Sequence, residues 1–98
     1  MGILKNKVAI VTGGSSGIGK SVAELYAKEG AKVIVSDIDV EGGKKVVAEI
    51  IANGGVASFF KADTSTAEEN KALVDEAIRL YGKLDIACNN AGIGGLAA

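Results

Sequence analysis

One phrase recurs three times along this chain: an apolar, β-branched run, a turn, and a helically spaced apolar set closed by glycine. Residues 7–12 form the first run, after which Ile18, Val22, Leu25 and Tyr26 recur at helical spacing as far as Gly30. Residues 32–36 form the second. Residues 41–53 then carry Val47, Ile50 and Ile51 on one helical face, with Lys44, Lys45 and Glu49 opposite, before Gly54 and Gly55. Residues 56–60 form the third, and Ser65 with Glu68 spells a capping box for a helix that turns Leu73, Val74, Ala77, Ile78 and Tyr81 inward as far as Gly82. A fourth run, residues 84–88, leads into a small-residue, glycine-rich stretch, residues 89–98. The spacing predicts β-α-β-α-β-α-β.

Near-continuous apolar strands separated by helices demand a parallel sheet covered on both faces, because parallel neighbours are joined only by crossovers. The expected architecture is a doubly wound α/β domain. Right-handed crossovers with one reversal of winding give the strand order 3-2-1-4 and open a ligand crevice at the C-terminal ends of strands 1 and 4. With 98 residues, 48% of them hydrophobic and 23% charged, the chain has the size and make-up of one globular domain over residues 1–98.

The turn after strand 1 reads GGSSGIGKS, residues 13–21, and satisfies two phosphate-binding patterns. Gly14, Gly19, Lys20 and Ser21 spell the G-x-x-x-x-G-K-S of a nucleoside triphosphate loop, whose lysine reaches the β- and γ-phosphates and whose serine holds magnesium. Gly13, Gly17 and Gly19 spell G-x-x-x-G-x-G, in which glycines make the tight turn and let the backbone approach a pyrophosphate. Both sites need an acid at the end of a strand, the first for its metal, the second to accept ribose hydroxyls from the end of strand 2. Asp37 stands at the end of strand 2, and its distance from Gly19, position 37 against 19, is near the roughly 20 residues of the dinucleotide fingerprint. That position favours the dinucleotide, leaving Lys20 as a solvated first-turn residue and Ser21 as an ordinary helical one.

The segment Thr12-Gly13-Gly14-Ser15-Ser16-Gly17-Ile18-Gly19 resembles the TGxxxGIG loop of the short-chain dehydrogenases/reductases, and Asn89-Asn90-Ala91-Gly92 resembles their NNAG motif after strand 4. With Asp37 and Asp63-Thr64 at the ends of strands 2 and 3, the resemblance spans nearly the whole chain. It implies a Rossmann-type domain whose loop, Gly13, Gly17 and Gly19, holds the cofactor pyrophosphate on a helix N-terminus, with Ser15, Ser16 and Ile18 in contact. It implies that Asp37 binds the adenosine ribose hydroxyls. The cofactor is then NAD rather than NADP, because a 2′-phosphate would face a carboxylate and neither Ser15 nor Ser16 supplies a cation. It further implies that Asp63 meets the adenine amine with Thr64 beside it, and that Asn90, Ala91 and Gly92 pass beside the adenosine and nicotinamide riboses. Asp63, Thr64 and Ser65 also make a good turn and helix cap without any ligand.

Members of that family move a hydride between nicotinamide and an alcohol or carbonyl. A Ser orients the substrate oxygen, a Tyr handles the proton, and a Lys four residues after the Tyr lowers its pKa. Here the residues four beyond Tyr26 and Tyr81 are Gly30 and Asp85, so no catalytic residue is assigned. The chain reads as the truncated cofactor half of such an oxidoreductase, inactive alone, whose small-molecule substrate is met only in a full-length parent. The competing reading is a non-catalytic dinucleotide-binding module or assembly fragment. With strand 4 an open edge, the chain is expected to self-associate. A net charge of −1, two Tyr, two Phe and no Trp argue against nucleic acid. No apolar run approaches the roughly 20 residues of a membrane span. One Cys and no His leave neither an internal disulfide nor a metal site, which fits the cytoplasm, and Cys88 reads as a small core residue.

Overall fold

Five consecutive residues, Val8–Thr12, are buried without interruption, as only a strand covered on both faces can be. They form β1. The computed structural model describes residues 2–14, 17–63 and 66–89. In it β1 is followed by α1 (Gly17–Lys28), β2 (Lys32–Asp37), α2 (Val40–Ala52), β3 (Val56–Lys61), α3 (Ala67–Tyr81) and β4 (Ile86–Asn89). All strand pairs are parallel, and the order is β3-β2-β1-β4, as the reversal of winding requires. The step from β3 back across the sheet to β4 runs opposite to the steps from β1 to β3. A right-handed crossover therefore puts α3 on the face that α1 and α2 do not occupy.

Alternation along the strands divides the core in two. Ala9, Val11, Val33, Val35 and Ala57 meet Ala23 of α1 and Val46 and Ile50 of α2. Val8, Ile10 and Ile34 face the other way and meet Leu73 and Ala77 of α3, with Phe60, Tyr81 and Leu84 at the margin.

The helices turn inward only some of the residues the apolar spacing selects. On α1 the buried residues are Gly19 and Ala23, with Val22 and Tyr26 partly covered, while Ile18 and Leu25 are exposed. On α2 they are Gly43, Val46 and Ile50, and Ile51 is exposed. The reason is close approach. A Cβ on Gly43 would overlap the edge of the Phe59 ring, so α2 sits so near the sheet that a residue without a side chain marks the line of contact. On α3, Leu73 and Ala77 are buried but Val74 and Ile78 are not.

The caps also differ in detail. The box that opens α3 is Thr66 and Glu69, one residue beyond the Ser65–Glu68 pair: the Glu69 amide donates to Thr66 Oγ1 at 3.2 Å, and the Asp63 amide donates to Glu69 Oε1 at 2.8 Å. Ser65 lies outside the described residues. At the N-terminal end of the sheet β4 begins at Ile86, not Leu84, because Asp85 is clamped to Val8. Its amide donates to the Val8 carbonyl at 2.9 Å, and its Oδ2 accepts from the Val8 amide at 2.9 Å. No helix among the described residues is long and apolar enough to cross a membrane.

Candidate functional site

The C-terminal ends of β1, β2 and β4 lie side by side, with Thr12 paired to Ser36 and to Asn89 in the register. The glycine loop leaves the sheet here. Gly13 and Gly17 take φ of 65° and 60°, a region that side-chain-bearing residues rarely adopt. Gly19 answers a different demand: a Cβ on it would overlap the Gly13 carbonyl oxygen, so the first turn of α1 is folded directly against the loop backbone. Gly14 is held to β2 by its amide, which donates to the Ser36 carbonyl at 3.3 Å, and Thr12 Oγ1 donates to the Cys88 carbonyl at 3.2 Å. The loop is thus pinned to both neighbours of β1.

A helix N-terminus carries unpaired N–H groups and the positive end of the helix dipole. α2 offsets these with Asp39 and Glu41, and α3 with Thr66, Glu68 and Glu69; α1 has no acidic residue in its first turn. The end of α1 is accordingly the one of the three best suited to an anion. Ser15 and Ser16 lie outside the described residues. Ile18 is 69% exposed.

Asp37 follows Ser36 at the end of β2, beside the loop and about one strand spacing of 4.8 Å away. Its Oδ1 accepts from the Asp39 amide at 3.0 Å and its carbonyl accepts from the Ala62 amide at 3.4 Å, so the carboxylate is oriented by the turn that follows it. Between these two aspartates Ile38 is 65% exposed, an apolar surface at the crevice that periodicity did not select. Its only signal in the sequence is an isoleucine between two aspartates where the strand ends. Asp63 lies exposed past β3, its backbone engaged with Glu69 and Thr66. Thr64, Asn90, Ala91 and Gly92 lie outside the described residues.

Lys20 Nζ reaches sideways to Glu49 Oε1 of α2 at 3.6 Å, Ser21 is exposed, and no group of His, Cys, Asp or Glu among the described residues could hold a metal ion. Ser36 Oγ, fully buried beside Thr12, has no hydrogen-bond partner among the described residues.

Fold and site together define a doubly wound α/β protein with a glycine loop at a helix N-terminus beside a strand-end carboxylate. Residues 7–98 match the family model described as short chain dehydrogenase, and the chain belongs to that family of oxidoreductases. It is 53% identical over 88 residues to a cyclohexanol dehydrogenase of Acinetobacter sp. (strain SE19), which covers 90% of this chain and 35% of the relative. It is 47% identical over 93 residues to a 2,5-dichloro-2,5-cyclohexadiene-1,4-diol dehydrogenase of Sphingobium indicum, covering 95% of this chain and 36% of that protein. The crystal structure of a hydroxysteroid dehydrogenase from Escherichia coli matches with a TM-score of 0.85 and 44% identity over 88% of this chain and 37% of its own. The chain spans about a third of the length of these relatives.

Proposed function

We propose that this chain is the NAD(H)-binding portion of a short-chain oxidoreductase that moves a hydride between nicotinamide and an alcohol or carbonyl. One observation carries the reading: a helix N-terminus without acidic residues, packed against its own glycine loop, stands beside the Asp37 carboxylate at one end of the sheet. In this reading residues 1–98 are one partial dinucleotide-binding domain. Gly13, Ser15, Ser16, Gly17, Ile18 and Gly19 receive the pyrophosphate, and Asp37 accepts the adenosine ribose hydroxyls, disfavouring NADP by like charge. Asp63 and Thr64 meet the adenine, to which Ile38 offers an apolar face, while Asn90, Ala91 and Gly92 run beside the riboses.

The nicotinamide, when bound, gives or takes the hydride; the residues of this chain bind and orient it. No Tyr here precedes a Lys by four residues, so the chain alone does not turn over and meets substrate only within a longer parent. Its reducing compartment is the cytoplasm. The chain by itself self-associates through the edge of β4 or through its uncovered helix faces. Calorimetric titration with NADH, NADPH and magnesium ATP tests the assignment. NADH is expected to bind most tightly, and Asp37→Ala to weaken it about tenfold, or about 1.4 kcal/mol. Binding of magnesium ATP alone, lost in Lys20→Ala, would overturn it. No nucleotide binding at all would favour a non-catalytic assembly fragment.

A further inference from the structure

Asn53 and Gly54 follow one another where α2 ends, and no other asparagine in the sequence precedes a glycine. Asn53 caps the helix with φ −90° and ψ 10°, and Gly54 turns the chain out of it with φ 90°. The Gly54 amide donates to the Ile51 carbonyl at 3.0 Å and the Gly55 amide to the Ile50 carbonyl at 2.9 Å. Asn53 and Gly54 are both exposed, and they border an open cleft between the C-terminal ends of α1 and α2. A Cβ on Gly54 would touch nothing, whereas one on Gly55 would stand 2.8 Å from Ile50 Cγ2 and 3.3 Å from Ala27 Cβ. The turn is open to solvent at Gly54 and pressed against both helices at Gly55.

We propose that Asn53 is a site of spontaneous deamidation in the folded chain, reached when the last turn of α2 opens. The Gly54 main-chain nitrogen loses its proton to hydroxide and bonds to Asn53 Cγ; the Cγ–Nδ2 bond breaks, and ammonia leaves with a proton from water. Water then opens the cyclic imide at either carbonyl, giving aspartate, or isoaspartate with the main chain routed through Cγ. Water is consumed, ammonia is released and nothing is oxidised. Glycine leaves the attacking nitrogen unshielded, because no Cβ stands beside it. With ψ at 10° the cap holds that nitrogen away from the side chain, so the Gly54–Ile51 bond must break and ψ rotate before the ring closes. Helix ends fray at the low end of the range of local opening free energies, and at an exposed turn little packing resists. Asn70 is the contrast: it lies within α3, its Nδ2 donates to the Thr66 carbonyl at 2.9 Å, and Lys71 follows it. The isoaspartate product inserts an extra main-chain carbon, so the Gly54 and Gly55 amides lose their register on Ile51 and Ile50. Because Ile50 belongs to the core, the modification loosens the junction of α1 and α2. The inference rests on neither the cofactor nor the family.

The test incubates the purified chain, with no nucleotide, at mildly alkaline pH and follows each asparagine by peptide mass spectrometry. A parallel incubation in urea gives the rates of the unfolded chain. In the folded chain position 53 is expected to convert at least about tenfold faster than Asn70, with isoaspartate detected there by enzymatic methylation. Hydrogen exchange of the converted chain is expected to quicken at residues 54 and 55 and to stay unchanged across β1. Asn53→Gln, whose longer side chain does not close the same ring, is expected to keep its original exchange through the same incubation, which separates the modification from general ageing. An amide at position 53 that survives in the folded chain while reacting in urea would overturn the proposal. So would equal rates at Asn53 and Asn70, or unaltered exchange at residues 54 and 55 after conversion.

Discussion

Gly19, at the start of α1, and Ser36, on β2, place opposite demands on the site. Gly19→Ala adds a methyl group where the Gly13 carbonyl already lies, and the obstacle is backbone, which cannot rotate away. The substitution is expected to cost about 1–3 kcal/mol of stability and to abolish NADH binding. Urea unfolding and calorimetry check it; an unchanged midpoint would mean that the helix does not press on the loop. Ser36→Ala removes a buried hydroxyl that has no partner among the described residues, so the variant is expected to be more stable by about 1 kcal/mol. A loss of stability would show that the hydroxyl is satisfied in solution. At this scale the glycines and Asp37 were legible in the sequence, because a positive φ, a close approach and a strand-end acid each restrict the residue type. Ser36 and Ile38 were not, since a serine inside a strand and an isoleucine after it carry no signal until the surrounding burial is known.

Among the elements, the strands were legible nearly to the residue and the helix faces were not. A buried parallel strand needs an unbroken apolar run, whatever packs on it. The inner face of a helix is set by how near it lies to the sheet, and here that distance is fixed by Gly19, Ala23 and Gly43, which an apolar count passes over. Large residues such as Ile18, Leu25 and Ile51 are displaced to the outside. The link between β1 and β4 yields a pH dependence. The Val8 amide donates to Asp85, and with the ammonium groups of Lys83, 3.3 Å away, and Lys7 it holds the carboxyl of Asp85 below its ordinary value. A carboxyl with a lowered pKa in the folded chain adds stability above its unfolded pKa, and that contribution is lost as pH falls through the folded one. Wild-type urea midpoints are therefore expected to fall below about pH 4, the unfolded Asp range, by more than those of Asp85→Asn. Parallel curves for the two proteins would remove Asp85 from the account.

Across the whole molecule the strand order followed from handedness and a single reversal, so topology was the most legible level of all. The outward apolar flank of α3 was the least, because periodicity reports that Val74 and Ile78 want cover without saying where the cover comes from. The same topology sets an order of assembly. β1, β2 and β3 meet through short crossovers, whereas the Val8–Asp85 contacts close 77 positions of chain. In pulse-labelled refolding the amides of β2 and β3 are expected to be protected before those of β4, and simultaneous protection would contradict this. During synthesis the consequence is sharper. β1 is made first and has its partner β4 last, so it stands with one flank unpaired while residues 13–85 are added, roughly 4–15 s at about 5–20 residues per second. For that interval the strand destined for the interior is the stickiest surface on the nascent chain.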